Sequence, residues 1–482
     1  MAAAEIKFGT DGWRGIIADD YTFENVRRVA GGIASYVLKN EDPGRGLLVG
    51  YDTRFGSRRF AEALSEVIAE AGIPVRLADD SIPTPAISYL AKSLGTAGGV
   101  AITSSHNPWS WNGVKFKEKF GGSARPSVVK QIESEVRAGA MPKGNRASVE
   151  LMDFKTPYTE AISRFADLNA IGNAGFKIAM DYMHGSGRGI AGSILRSRSV
   201  DCVEIRSDVN PLFPGINPEP ILPHVAMLQE TVTRERCHAG FAVDGDADRI
   251  GAVAEDGSFV DAHKCYAILL WWLLEYKKWS GAITRAFNTT CMLDRIAQHY
   301  GRELIEHGIG FKYVCDVVLS GKEVLIGGEE SGGIGIPRHL PERDGSLNAL
   351  LLCNAMADSR MTLGQIVAHL QEEFGEHHYG RTDLHVSDAV KYPAIQRAEA
   401  AGTTVLGRYR ILRKENMDGI KLFLDASQNS SGVKPGAQAW VLLRASGTEP
   451  LLRIYSEAAS PQLVREILAQ AEAFVGESAT AS

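Results

Sequence analysis

From Leu47 to Ile102 the chain alternates short apolar runs with amphipathic stretches, and this alternation restricts the fold more than any other feature. Leu47-Leu48-Val49-Gly50-Tyr51-Asp52 reads as a buried strand. Phe60, Leu64, Val67, Ile68 and Ala71 recur at the spacing of one helical face. Val75 to Ala78 is a short strand, Thr84-Pro85 opens a helix with proline at its first position, and Gly99-Val100-Ala101-Ile102 is a third strand. Upstream, Thr22 caps a helix whose face is Phe23, Val26, Ala30, Ile33 and Val37. Strands that alternate with helices pack as a layered α/β domain. A second such unit begins at Phe176 and closes on Phe241-Ala242-Val243, after which Asp256-Gly257 turns a hairpin; a third starts near Asp261. The last hundred residues change character: three strands and a closing helix, with Leu463, Val464, Ile467, Leu468, Phe474 and Val475 on its face, read as a small α+β domain.

A chain of 482 residues is too long for one core. The expected domains are 1–155, 156–260, 261–375 and 376–482, with residues after Lys117 helical or loop-like to about Pro157 and Gln371 to Arg381 as a linker. A net charge of −6 argues against nucleic acid or an anionic membrane as partner. The six cysteines are scattered without a Cys-x-x-Cys pair, which suits free thiols in a reducing, cytoplasmic setting. No signal-peptide core is expected at the N-terminus, and the most apolar run, Cys265 to Leu274, is too short to span a bilayer.

The chemistry sits where strands end. Thr103-Ser104-Ser105-His106-Asn107-Pro108 follows one strand directly, and Asn112-Gly113-Val114-Lys115 brings a lysine near it. On their own these residues also fit a loop whose hydroxyls cap backbone groups. Asp244, Asp246 and Asp248 crowd three carboxylates into one loop, where a cation would relieve their repulsion. Oxygen-only ligands suit Mg²⁺. An EF-hand is excluded, because its sixth position would be Arg249 instead of glycine. A solvated acidic turn is the other reading. Gly327 to Gly333 carries Glu329, Glu330 and Ser331, which suit sugar hydroxyls or a solvated loop equally. Arg444-Ala445-Ser446-Gly447-Thr448 offers a guanidinium fork, hydroxyls and backbone N–H groups to an anion, or is a plain hairpin turn. His184 to Gly189 lacks dinucleotide-loop spacing and reads as a tight strand-to-helix turn. Arg14 lies in the turn-rich opening Phe8 to Ile16.

Taken in order, TSSHNP (103–108), NGVK (112–115), DGDADR (244–249), GEESGG (328–333) and RASGTEP (444–450) resemble the α-D-phosphohexomutase family over essentially the whole chain, and within it the phosphoglucomutases. The resemblance implies four domains around a central cleft, three of mixed-sheet α/β type and a C-terminal α+β domain of TATA-binding-protein-like form. It implies that Ser105 is carried as phosphoserine and that Mg²⁺ is held by Ser105, Asp244, Asp246 and Asp248. Arg249 and Arg14 would support the transferring phosphoryl group, and His106 and Lys115 would move the proton, Lys115 with a pKa depressed by nearby cations. Lys312, Glu329, Ser331, His339, Arg343, Arg444, Ser446, Gly447, Thr448 and Arg453 would bind substrate. The implied reaction interconverts glucose 1-phosphate and glucose 6-phosphate through glucose 1,6-bisphosphate, in a monomer or homodimer whose partner is a small sugar phosphate. The chain departs from the mannose-active members at Gly333, where they often have histidine, and from phosphoglucosamine mutases at Glu330, where they usually have glutamine. Arg343 stands where glucose-selective members often have lysine, and His339 resembles their histidine. A phosphomannomutase, a dual-specificity enzyme, a phosphoglucosamine mutase, a phosphatase using the same acidic loop, and a binding protein without turnover are the alternatives.

Overall fold

The computed structural model describes residues 6–9, 11–426, 438–446 and 450–480. By compactness the chain forms two units, 1–284 with 310–366 and 285–309 with 367–482.

In the first unit, strands β1 (Trp13–Ile16), β2 (Leu47–Tyr51), β3 (Val75–Ala78), β4 (Gly98–Ile102), β5 (Trp111–Glu118) and β6 (Val149–Met152) form one sheet in the order β1-β5-β4-β2-β3-β6. β2 runs parallel to β3 and β4, while β5 runs antiparallel to β4 and β1. Every residue of β2 and β4 is buried, as expected when helices cover both faces. Thr22 caps the helix Phe23–Asn40 by accepting from the Asn25 N–H at 3.2 Å, as its sequence position predicts. The stretch after Lys117 departs from expectation: besides the helix Pro126–Arg137 it contributes β6, parallel to β3. Val-Glu-Leu-Met is exposed along nearly all of its length at this sheet edge, so no alternation of apolar residues marked it as a strand.

β7 (Lys177–Asp181), β8 (Asp201–Ile205), β9 (Ala239–Val243), β10 (Ile250–Ala254) and β11 (Phe259–Val260) form a second sheet, ordered β11-β10-β9-β7-β8. β10 and β11 are the hairpin expected around Asp256-Gly257. After β11 the helix Ala262–Glu275, capped by Asp261, is apolar nearly all round and buried. β12 (Ala282–Ala286) and β13 (Leu304–His307) follow, then β14 (Val324–Gly328), which pairs antiparallel with β15 (Ile334–Gly335). None of the helices among the described residues is long and apolar enough to cross a membrane.

The second unit is built on an antiparallel sheet of β16 (His378–His385), β17 (Val405–Leu406), β18 (Tyr409–Glu415), β19 (Ile420–Asp425), β20 (Trp440–Ala445) and β21 (Leu451–Ala458), ordered β16-β21-β20-β19-β18-β17. Val464, Ile467, Ala471 and Val475 of the helix Pro461–Thr480 pack on one face against Leu422, Leu443 and Ile454. On the other face Phe287, Phe423, Trp440 and Tyr455 cluster around the buried Lys421 ammonium, 4.4 Å from the Phe287 ring. Gln371 to Arg381 is not a linker. Gln371 to Phe374 finish a helix and His378 to Arg381 open β16, so Gly375 to His377 alone connect them.

His377 is buried with its Nδ1 3.1 Å from Glu457 Oε1, which also accepts from the Cys291 N–H at 3.0 Å. Burial opposes the ionised Glu457 carboxylate, but these donors and the Thr290 hydroxyl outweigh it and hold its pKa at about 2. A carboxylate depressed in the folded state stabilises above its unfolded pKa and loses that contribution as pH falls toward 2. The contribution at neutral pH is about 3 kcal/mol. Glu457→Gln should therefore be destabilised at pH 7, and its urea midpoint should fall less steeply than wild type between pH 5 and pH 2. Parallel pH profiles for the two proteins would refute this.

All six cysteines are unpaired thiols. Burial pushes Cys202 and Cys291 up to about 12, and Cys265, Cys315 and Cys353 higher still.

Candidate active site

The buried strand β9 delivers Asp244 to the loop that turns into β10. Asp244 Oδ1 accepts from the N–H groups of Asp248 and Arg249 at 2.9 and 3.0 Å, which ties the loop into a closed turn. Asp244, Asp246 and Asp248 are fully buried, and each offers an oxygen within 4.8 Å of the others. The strand-to-helix turn after β7 supports them from behind, with the Ser186 N–H donating to the Gly245 carbonyl at 3.0 Å. At Gly245 a Cβ would lie 2.5 Å from the Ser105 carbonyl, so glycine permits the close approach of the serine loop.

β4 delivers that loop. Ser105 has a left-handed backbone (φ 51°), and its Oγ donates to Asp244 Oδ2 at 2.7 Å. Its N–H donates to Thr103 Oγ1 at 2.9 Å, and the Arg54 guanidinium donates to its carbonyl at 2.7 Å. Arg14 reaches the same loop through Asn107 Oδ1 at 2.8 Å. Arg249 faces the acidic turn, with Nε 3.9 Å from Asp244 and from Asp248.

Neighbouring β5 sends Lys115 into the carboxylates. Its Nζ lies 2.8 Å from Asp246, 3.0 Å from Asp11 and 3.4 Å from Asp248. Arg343 is the second resident cation, 2.6 Å from Asp11, 2.8 Å from Asp248 and 3.2 Å from Glu329. Burial and the two neighbouring aspartates drive Asp244 well above the usual carboxylate range. Asp246 goes the other way: burial opposes its charge, but the Lys115 ammonium prevails and pulls it down. Lys115 corrects the expectation of a depressed pKa. Burial does oppose its charge, yet Asp11, Asp246 and Asp248 surround it and hold it above the usual lysine value. His106 is the group that loses its proton readily: burial, with Arg249, Arg14, Lys115 and Arg54 around it, drives it well below the ordinary imidazole value. Its Nδ1 has no hydrogen-bond partner among the described residues.

The donor set fits a divalent cation. Asp246 Oδ1 and Asp248 Oδ1 are buried and accept no hydrogen bond from the described residues, the donors are all oxygen, and the Ser105 hydroxyl is already in contact with Asp244. Asp244, Asp246 and Asp248 could hold a metal ion of the Mg²⁺ type.

Glu329 joins the cluster through Arg343; burial raises its pKa. Its loop docks where Ile250 begins β10: the Ile250 N–H donates to the Gly332 carbonyl at 3.0 Å, and Gly332 takes φ 91°. Ser331 lies on this loop, partly exposed. Two candidates stand apart. Lys312 opens the helix Lys312–Leu319 with its ammonium 5.4 Å from the Tyr313 ring centroid. His339 stacks on Tyr89 at 5.8 Å and tilts against Phe165, its Nε2 3.7 Å from Asp344, so it packs among aromatic rings and not in the acidic cluster.

The remaining candidates lie in the second unit. Arg444 and Arg453 are register partners on β20 and β21, two like charges side by side. Asp418 Oδ1 accepts from Arg444 at 2.9 Å, and the Ser446 carbonyl accepts from Lys391 Nζ at 2.9 Å. Gly447 and Thr448 lie outside the described residues. Sequence reasoning missed Asp11, Thr84, Asp52 and Arg54. Thr84 Oγ1 donates to Asp246 at 2.6 Å, and Asp11 bridges Lys115 and Arg343. Asp11 lies in the turn just before β1, which carries Arg14, and could have been marked there.

Comparison with known proteins agrees along the whole chain. Models of phosphoglucomutase/phosphomannomutase α/β/α domains I, II and III match residues 5–143, 156–257 and 261–374, and that of the C-terminal domain matches 433–473. A phosphoglucomutase/phosphomannomutase of Thermococcus kodakarensis is 30% identical over 96% of each chain. A phosphoglucosamine mutase of Carboxydothermus hydrogenoformans is 29% identical over 96% of this chain and 97% of that one. The crystal structure of a Thermus thermophilus protein described as a phosphomannomutase superposes with a TM-score of 0.85 at 34% identity, over 98% of this chain and 100% of the other. The chain belongs to the phosphoglucomutase/phosphomannomutase family of α-D-phosphohexomutases, intramolecular phosphotransferases of the isomerase class.

Proposed function

We propose that this enzyme interconverts glucose 1-phosphate and glucose 6-phosphate, with Ser105 as the phosphoserine and glucose 1,6-bisphosphate as the intermediate. The observation that carries the reading is Ser105 Oγ, 2.7 Å from Asp244 in a buried cluster where two carboxylate oxygens accept no hydrogen bond from the described residues. The free hydroxyl of the sugar attacks the phosphoserine phosphorus, and the bond to Ser105 Oγ breaks. Neutral His106 takes the proton from that hydroxyl, and Lys115 and Arg249 offset charge on the transferring group. A Mg²⁺ held by Asp244, Asp246, Asp248 and the serine phosphate would supply further charge stabilisation. The bisphosphate then turns over and returns its other phosphoryl group to Ser105. Glu329 and Ser331 are suited to sugar hydroxyls, and Arg444, Ser446 and Arg453 to the non-reacting phosphate. Glucose is favoured by Gly333 and Glu330, which depart from the mannose-active and glucosamine-active patterns.

The second reading is a phosphoglucosamine mutase, a name borne by the Carboxydothermus relative. A coupled assay with Mg²⁺ and a trace of glucose 1,6-bisphosphate separates the two. Turnover of glucose 1-phosphate should exceed that of mannose 1-phosphate and glucosamine 1-phosphate by about tenfold or more, the scale of one net hydrogen bond. A faster glucosamine reaction would move the assignment to the amino sugar. Release of inorganic phosphate without isomerisation would overturn both.

A further inference from the structure

The serine loop is held from beneath by residues of the turn after β2. The Arg54 side chain is 0% exposed. Its Nη2 donates to the carbonyls of Ser105 and Asn107 at 2.7 and 2.6 Å, and its Nη1 to those of Pro108 and Trp111 at 2.7 and 3.1 Å. Nε lies 3.1 Å from Asp52 Oδ2, and the Phe213 ring covers the guanidinium at 5.0 Å. Asp52 Oδ2 in turn accepts from Thr103 Oγ1 at 2.6 Å, and Thr103 Oγ1 accepts from the Ser105 N–H at 2.9 Å. The N–H and the C=O of Ser105 therefore both lead back to one buried ion pair. Asp52 Oδ1 is also engaged, by the Arg54 N–H and the Ser57 hydroxyl.

We propose that Asp52 and Arg54 are a positioning pair for the nucleophile: they hold Ser105 in its left-handed conformation and aim Oγ at Asp244 in both half-reactions. The proposal rests on the phosphoserine reading above. A residue with a Cβ disfavours a φ of 51°, so something must hold it there. A buried guanidinium is costly unless its N–H groups are used, and here they meet four carbonyls of a single loop. Packing alone would not require that fork. A mutase makes a particular demand on it. The same Oγ must give up its phosphoryl group and then receive one back from an intermediate that has turned over, so a displacement of the serine costs rate at both steps. Both side chains are buried beneath the serine loop, so binding should be spared.

The test compares Arg54→Lys, Thr103→Val and Thr103→Ser in the full chain, with Ser105 phosphorylation read by intact mass. Lysine keeps the charge but loses the fork. Arg54→Lys should lower kcat by about 100-fold while KM moves by less than about threefold. Thr103→Val, which removes the hydroxyl between Asp52 and the Ser105 N–H, should lower kcat by about tenfold, and Thr103→Ser should restore it. A purely structural role would lower the melting temperature and leave kcat unchanged well below it; that result, in either Arg54→Lys or Thr103→Val, overturns the proposal. If Arg54→Lys does not fold, the Thr103 pair decides the matter alone. An active wild type that never carries a phosphoryl group on Ser105 would overturn the phosphoserine reading and this proposal with it, whereas a phosphorylated, active wild type with unchanged variants overturns this proposal only.

Discussion

Ser105→Ala should lower kcat by at least about 10⁴-fold while leaving the affinity for glucose 1-phosphate within about threefold. The reason is the division of labour among the loops. Among the described residues, Ser105 supplies the hydroxyl in contact with Asp244, and without it no covalent phosphoenzyme can form. The candidate sugar contacts, Glu329 and Ser331, stand on another loop, and the candidate phosphate contacts Arg444, Ser446 and Arg453 belong to the second unit. Alanine tolerates the backbone about as well as serine does, and the loss to folding is one hydrogen bond, about 1 kcal/mol. Calorimetric titration with the sugar phosphate, beside the coupled assay, checks both halves. Near-normal turnover would remove Ser105 from the chemistry; lost binding would mean that the serine loop itself holds the substrate.

The second large effect concerns the acidic turn. Three buried carboxylates with oxygens within 4.8 Å are offset, in the protein alone, by Lys115, Arg343 and Arg249. Two oxygens, Asp246 Oδ1 and Asp248 Oδ1, are left without a hydrogen bond among the described residues. Chelation of divalent cations should therefore reduce turnover by about 10³-fold or more, and added Mg²⁺ should restore it. Asp246→Asn removes one negative ligand at constant volume and leaves Lys115 with Asp11 and Asp248. It should abolish most of the rise in melting temperature that Mg²⁺ gives the wild type. Full activity in chelator, or an unchanged Mg²⁺ response in the variant, would show that these carboxylates serve folding and not metal.

What could be read in the sequence was whatever depends on neighbours in the chain. β2, β3 and β4 announced themselves by apolar runs, and the acidic turn by its own spacing. What could not be read was the company a side chain keeps across the fold. Lys115 was expected among cations because the phosphate chemistry calls for them. Its actual neighbours, Asp11 and Asp246, lie far along the chain in either direction, and they reverse its electrostatics. His339 matches a binding histidine by type, and its packing against Tyr89 and Phe165 had no mark in the sequence. Arg54 gave no signal at all, since an arginine shortly after a strand is usually solvated. Only the closure of four carbonyls around it identifies its work.

The thiols offer a clock. Reagents such as maleimides attack the thiolate, and burial shields Cys265, Cys315 and Cys353, all in the first unit, and raises their pKa values well above neutrality. Labelling then waits for the surrounding structure to open, and its rate at each position counts those openings. The first unit thus carries its own reporters, and substrate that quiets it would be read directly in which of these cysteines slow.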